Sequence, residues 1–296
     1  MSLASARPTD FARLVAVPAI WGGTFVAGKI VVATLTPLMG SFARYIVACV
    51  ALVVAAFVLE GGLPRLSGRQ WLGTLVLGAF GVFAYNLFFM GALEKLAASR
   101  AALIIALNPA VTIAISALVL KERLGFRRWL GVVIALLGVA IVVSRGDLRS
   151  LASGSVGVGE ALMFAAVVSW ALYTLGGRRI MTGLTPLAAT TYAALCGTFM
   201  LGVFAAPHFG SLALPQFDWR MNLSLLYLGV LGTAVAFVWY YMSVKKLGAS
   251  VTSIFNNLVP VFGVAISVLV LDEPLLISML VGGAVTIAGV LMVSRA

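Results

Sequence analysis

Leu35-Thr36-Pro37-Leu38 returns 149 residues later as Leu184-Thr185-Pro186-Leu187, and the residues around it return as well. At the same shift Trp21, Gly28 and Lys29 meet Trp170, Gly177 and Arg178. Further along the shift becomes 151. Leu77-Gly78 and Gly81 reappear as Leu228-Gly229 and Gly232, Pro109 as Pro260, Glu122 and Leu124 as Glu273 and Leu275, and Gly131 and Gly138 as Gly282 and Gly289. The 296 residues are one unit written twice.

Composition sets the solvent. The chain is 62% hydrophobic and only 10% charged, with a mean hydropathy of +1.13. A soluble domain carries about a quarter charged residues, so lipid must solvate much of this surface. The net charge of +11 does not gather into a nucleic-acid-binding stripe. The basic residues fall between apolar runs, as orientation signals do.

Ten runs are long enough for a hydrocarbon core, which takes roughly 20 helical residues. They cover 12–33, 38–59, 70–92, 99–120, 126–144, 158–177, 186–206, 222–243, 250–271 and 275–294. The expected fold is an all-α integral membrane protein of ten transmembrane helices in two five-helix repeats, 1–147 and 148–296, joined by a Gly/Ser-rich linker at 145–157. A duplicated unit with an odd number of spans must sit in the bilayer in opposite orientations, an arrangement that recurs in secondary transporters.

With the amino terminus inside, 13 basic residues fall on that side: Arg7, Arg13, Arg65, Arg69, Lys121, Arg123, Arg127, Arg128, Arg178, Arg179, Lys245, Lys246 and Arg295. The other side receives 5: Lys95, Arg100, Arg145, Arg149 and Arg220. This bias places both termini in the cytoplasm. The first run has its echo in the sixth, so it reads as part of the fold and not as a cleaved signal.

Catalytic and ligating patterns are missing. There is no Gly-x-x-x-x-Gly-Lys-Ser/Thr, His-Glu-x-x-His or Gly-x-Ser-x-Gly. The lone His208 falls in an outside loop, and Cys49 and Cys196 lie mid-span without ligand spacing. Neither enzyme chemistry, nor a metal, nor a cofactor is expected.

Pro109 and Pro260 fall near the middle of the fourth and ninth runs. Proline lacks an amide hydrogen and collides with the carbonyl four residues back, so both runs should kink there and act as hinges. Backbone groups freed at mid-bilayer must face protein or a water-filled cavity. Asn108, Asn256 and Asn257 cluster at these kinks. They are candidates for binding a polar solute, with satisfaction of the broken backbone as the equal alternative.

Trp21 and Trp170 lie about ten residues into their helices, although tryptophan anchors best at the membrane interface. Two at mid-depth, related by the repeat, point to a central site with Thr24 on the Trp21 face and Tyr173 on the Trp170 face. The plainer alternative is a filled helix interface. Tyr85, Phe88 and Phe89 fall in the outer half of the third run, and Trp239, Tyr240 and Tyr241 in the inner half of the eighth. Tyr85 reads as a site residue and Phe88, Phe89, Trp239 and Tyr240 as gates. An aromatic belt is the alternative, strongest for Tyr241.

Two cations lie within runs. Lys29, near the outer end of helix 1, either snorkels or meets a carboxylate, and Arg44 in helix 2 either snorkels or joins an internal pair. No Asp or Glu is read deep in a helix, which favours facilitated transport and leaves proton coupling as the second choice. Gly131 and Gly138, echoed by Gly282 and Gly289, lie seven apart on one face. They make helices 5 and 10 a packing surface or a homodimer contact, and leave helices 1, 3, 4, 6, 8 and 9 to line the cavity.

These residues together carry a resemblance. Pro109, Glu122-Arg123-Leu124, Gly131 and Gly138-Val139, repeated as Pro260, Glu273-Pro274-Leu275, Gly282 and Gly289-Val290, look like the ending of an EamA repeat. Trp21-Gly22 and Arg44 match that pattern too. The resemblance covers essentially the whole chain and belongs to the drug/metabolite transporter superfamily. It implies inverted five-helix repeats and export of small metabolites across a bacterial inner membrane. Within the superfamily the chain is similar to YddG-type exporters, which implies aromatic and other neutral amino acids as solutes. The second repeat departs where Arg44 aligns with Ala193 and Arg123 with Pro274. Multidrug export, sugar-phosphate exchange and a non-transporting scaffold are the rival readings.

Overall fold

The computed structural model describes residues 8–120, 125–146, 157–180, 183–211, 218–247, 252 and 255–295. Glu122, linker residues 147–156 and the Arg178 side chain lie outside that description. Among the described residues no strand occurs. The first repeat holds α1 (Pro8–Val32), α2 (Pro37–Glu60), α3 (Gly68–Leu77, Gly78–Ala84 and Tyr85–Lys95), α4 (Ala98–Ile105 and Asn108–Leu120) and α5 (Phe126–Val143). The second holds α6 (Val158–Ile180), α7 (Pro186–Ala205), α8 (Trp219–Leu226, Tyr227–Val235 and Ala236–Leu247), α9 (Val259–Leu271) and α10 (Ile277–Arg295). Among the described residues nine helices are long and apolar enough to cross a membrane, and α9 is a shorter apolar helix.

The repeated Leu-Thr-Pro-Leu is a helix start. The Thr36 hydroxyl accepts the Met39 N–H at 3.4 Å and the Thr185 hydroxyl accepts the Ala188 N–H at 3.1 Å. Pro37 and Pro186 follow as the first residues of α2 and α7, where the missing amide hydrogen has no intrahelical role. Each cap contributes about 1 kcal/mol. Thr185 also donates to Glu60, the last residue of α2, at 2.6 Å. At the other end Phe42, early in α2, packs on Phe209 just after α7, 5.6 Å between centroids. The two helices therefore run antiparallel, so one cap motif serves opposite faces of the bundle. This is the inversion of the repeats, seen locally.

Both prolines break their helices more sharply than a kink. α4 stops at Ile105 and restarts at Asn108, with Pro109 its second residue, and Pro260 is likewise second in α9. Proline belongs at a helix start, where its missing donor costs nothing. Turn bonds from Leu107 N–H to Ile104 O and from Leu258 N–H to Phe255 O span the two breaks.

α3 and α8 share a device that hydropathy and repeat matching do not reveal: a π-helical stretch over Gly78–Ala84 and Tyr227–Val235. The Tyr85 N–H bonds to Phe80 O and Val82 O, passing over Gly81 O. At the equivalent place the Ala236 N–H bonds to Leu231 O and Thr233 O, passing over Gly232 O. Such wide turns release a carbonyl from the ladder and are frequent at functional sites.

Around this centre α1 packs on α8 and α9, α6 packs on α3 and α4, α2 pairs with α7, and α5 pairs with α10. The last pair is glycine on backbone. A Cβ on Gly131 would stand 2.8 Å from Gly289 O, and one on Gly282 would stand 2.6 Å from Gly138 O. The glycine faces are thus used within one chain, and a dimer through these helices would need their other, lipid-facing sides. Val54 and Phe57 of α2, Leu137 of α5, Phe199 and Val203 of α7 and Leu280 of α10 are exposed apolar residues on that periphery.

Candidate solute-binding site

The centre of the bundle is a connected set of aromatic rings drawn from α1, α3, α6 and α8. Trp170 touches Tyr85 and Tyr173, each at 5.4 Å between centroids, and Phe237 at 6.3 Å. Phe237 reaches Trp21 at 5.7 Å, and Trp21 reaches Tyr240 at 5.5 Å. Tyr85 continues the set to Phe89, stacked at 5.7 Å with 14° between planes, and Phe89 packs on Phe25. These offset and tilted contacts are the geometries rings prefer. The two repeat-related tryptophans meet through one ring, Phe237.

Helical periodicity explains which rings arrive. Phe237 and Tyr241 are one turn apart on one face of α8, and both join the set. Trp239 is two residues from Phe237, about 200° around the helix, and among the described residues makes no ring contact. Phe88 packs against the core without entering the ring set, whereas Phe89 is buried within it. Of the residues read as gates, Phe89 and Tyr240 therefore reach the rings and Phe88 and Trp239 do not.

The Trp21 indole N–H donates to Gly232 O at 3.1 Å, the carbonyl freed by the π-turn. Thr24 turns back to its own helix, donating to Trp21 O at 2.6 Å. Its hydroxyl hydrogen is committed there. Trp170 differs: among the described residues its side chain is held by ring contacts alone. Tyr173 lies instead against Gly81, where a Cβ would stand 2.7 Å from Tyr173 Cγ.

At the helix breaks, Asn108 Oδ1 and Asn257 Nδ2 are buried without a hydrogen-bond partner. Buried amide groups left this way each cost about 1–3 kcal/mol, so they are available to a polar solute. Asn256 lies with Arg13, Leu14, Val17, Tyr240, Ser243 and Thr252 near the start of α1.

The two cations part company. Lys29 donates to Leu93 O at 2.7 Å and Leu96 O at 2.8 Å. It caps the carbonyl end of α3, where a positive charge is favoured. Directly beside it Glu273 accepts Ala98 N–H at 2.7 Å, Ser99 N–H at 2.9 Å and the Ser99 hydroxyl at 2.5 Å, capping α4. At the same end Arg100 pairs with Glu160 at 3.0 Å and also donates to Val143 O. This end, where α3 turns into α4, is therefore tied across α1, α3, α4, α5, α6 and the α9–α10 connection. At the opposite end Asp10, 3% exposed, pairs with Lys246 at 2.6 Å.

Arg44 is buried at 7% exposure, with Nη1 donating to Asn86 Oδ1 at 3.0 Å and Nη2 to Thr233 Oγ1 at 3.4 Å. Asn86, Thr233, Phe237 and Asp10 carry no signal in the sequence that singles them out. The buried amide and hydroxyl belong to no pattern, and Phe237 is hidden because its repeat partner is Asn86, not an aromatic.

Among the described residues, nine membrane-length helices and a shorter apolar one, in two repeats, surround a ring-lined centre. The sequence profile of the EamA-like transporter family matches residues 12–144 and again 157–295. The chain belongs to the EamA-like transporter family. It is similar to an uncharacterized transporter of Archaeoglobus fulgidus, 31% identical over 92% of each chain, and to the uncharacterized transporter YyaM of Bacillus subtilis, 29% identical over 92% of this chain and 89% of the relative. A probable terminal-alkyne amino-acid exporter of Streptantibioticus cattleyicolor is 30% identical over 86% of this chain and 83% of its own length. A solved crystal structure shares the fold with a TM-score of 0.68 at 17% identity, over 97% of this chain and 98% of that one.

Proposed function

We propose that the chain is a secondary exporter of small amphipathic metabolites, foremost aromatic and other neutral amino acids, working by alternating access in a bacterial inner membrane with both termini cytoplasmic. The observation that carries this reading is the ring set joining Trp21 to Trp170, taken with Asn108 Oδ1 and Asn257 Nδ2 buried without a partner at the two helix breaks. Rings offer stacking to a side chain, and free amides offer bonds to a polar head. The likeness to a probable terminal-alkyne amino-acid exporter supports amino acids as the broader solute class. On the charge bias, the end tied by Lys29, Glu273 and Arg100 faces outward, and this state is closed there.

The repeat supplies the switch. Trp21 holds Gly232 O across α1 and α8, while Gly81 O, its counterpart in α3, is passed over by the helix ladder and takes no bond from Trp170. Exchanging the conformations of the two halves would make the Trp170–Gly81 bond and release Trp21. Transport then follows the solute gradient, since the buried carboxylates Asp10 and Glu160 are both ion-paired. Counterflow of labelled L-phenylalanine into proteoliposomes tests this. Accumulation that is insensitive to an imposed pH gradient is expected. Accumulation only when a pH gradient is imposed would make the protein a proton-coupled exporter instead, and no flux of phenylalanine or leucine would remove the amino-acid reading.

A further inference from the structure

Arg44 is a complete positive charge inside the bundle, and among the described residues no carboxylate answers it. Its partners are neutral: the Asn86 amide, the Thr233 hydroxyl and the face of Tyr45, 5.4 Å from ring centroid to guanidinium carbon. Its Nε is buried with no partner at all. The carboxylates nearest the interior are spent elsewhere, Asp10 on Lys246, Glu160 on Arg100 and Glu273 on the start of α4. A buried guanidinium held only by neutral groups is an incomplete ion pair, and within a membrane such a group pairs with something.

Its position says with what. Asn86 follows Tyr85, which touches Trp170, and Thr233 follows Gly232, which holds Trp21. The guanidinium thus hangs from the two residues adjoining the ring set. The Asn86 amide is itself fixed by donating to Val82 O at 2.8 Å, which leaves its oxygen for Arg44. The repeat partners of Arg44 and Asn86 are Ala193 and Phe237. One half of the molecule therefore contributes a cation and an amide where the other contributes a methyl group and a ring.

We propose that Arg44 binds the carboxylate of the transported solute, so that the substrate class is amphipathic carboxylates, amino acids among them. Nε and one Nη of a guanidinium present the paired donors that a carboxylate accepts with both oxygens. The apolar end of the same solute lies toward Phe237 and Trp170. This assignment rests on the transport reading and adds the polar half of its specificity.

The test is a ligand series on the purified full-length protein in nanodiscs, read by thermal stabilisation. L-Phenylalanine and 3-phenylpropionate keep the carboxylate, whereas L-phenylalaninamide and phenethylamine lack it. The wild-type protein should bind the first two at least about tenfold more tightly than the last two, the worth of a charged hydrogen-bonded pair. Arg44→Gln should erase that ratio and Arg44→Lys should restore part of it. Equal binding of phenylalanine and its amide to wild type would overturn the proposal while leaving the exporter reading intact. Absence of binding by all four would overturn both. Should Arg44→Gln fail to fold, the wild-type series alone decides between these outcomes.

Discussion

Trp21 and Trp170 occupy the same place in the two repeats and have different bonds. Trp21 closes α1 onto α8 through Gly232 O, whereas Trp170 has rings on three partners and no such bond among the described residues. A symmetric sequence thus adopts an asymmetric state at its centre. Further out, Glu273 caps α4 and Lys29 caps α3 where α3 turns into α4. The repeat therefore encodes a pair of alternatives, of which one conformation realises one member.

The largest difference between the two tryptophans is expected on removing Trp170. If it is the stacking surface and Trp21 the clasp, Trp170→Ala removes ring contact with Tyr85, Tyr173 and Phe237 together. Counterflow of phenylalanine should fall severalfold to about tenfold, in line with the roughly 0.5–1.5 kcal/mol that an aromatic pair is worth beyond its buried area. A loss no greater than that of Trp21→Ala would dissolve the distinction. A smaller effect is expected at the tied end. Glu273→Gln keeps the shape but removes the charge from three donors at the start of α4, a change worth about 1–2 kcal/mol there. Labelling of a cysteine placed at Ala97 by a membrane-impermeant thiol reagent should rise severalfold. Unchanged labelling would mean that Glu273 does not hold that end closed.

Much of the fold is legible in the sequence because capping, hydropathy and glycine packing are local or periodic. Leu-Thr-Pro-Leu marks a helix start wherever it stands, and Gly131 and Gly138 mark a close approach whichever helix they meet. Pro109 and Pro260 are visible too, but a single residue type does not say whether a helix bends or stops. The breaks at 106–107 and 257–258 depend on how the half-helices pack. The π-turns leave no signal, since Gly78–Ala84 and Tyr227–Val235 read as ordinary apolar helix. Matching residues shared by the repeats also favours Trp239 over Phe237. The binding centre draws on positions where the halves differ, and symmetry alone passes over those.

The smallest effect belongs to the clasp itself. Trp21→Phe keeps a ring against Phe237 and Tyr240 but deletes the one indole donor to Gly232 O. A neutral hydrogen bond is worth about 1 kcal/mol, roughly a fivefold shift between two states. The substitution should therefore move the population toward the opposite-facing conformation without greatly weakening solute binding. Trp170→Phe should move it the other way, because the bond it forfeits is one that only the opposite conformation makes. Double electron–electron resonance between spin labels on the two ends of the bundle reads both populations. Shifts of opposite sign would establish Trp21–Gly232 and Trp170–Gly81 as the two positions of one switch. Shifts of the same sign would reduce Trp21 to a packing residue, leaving the rings at the centre without a part in the motion.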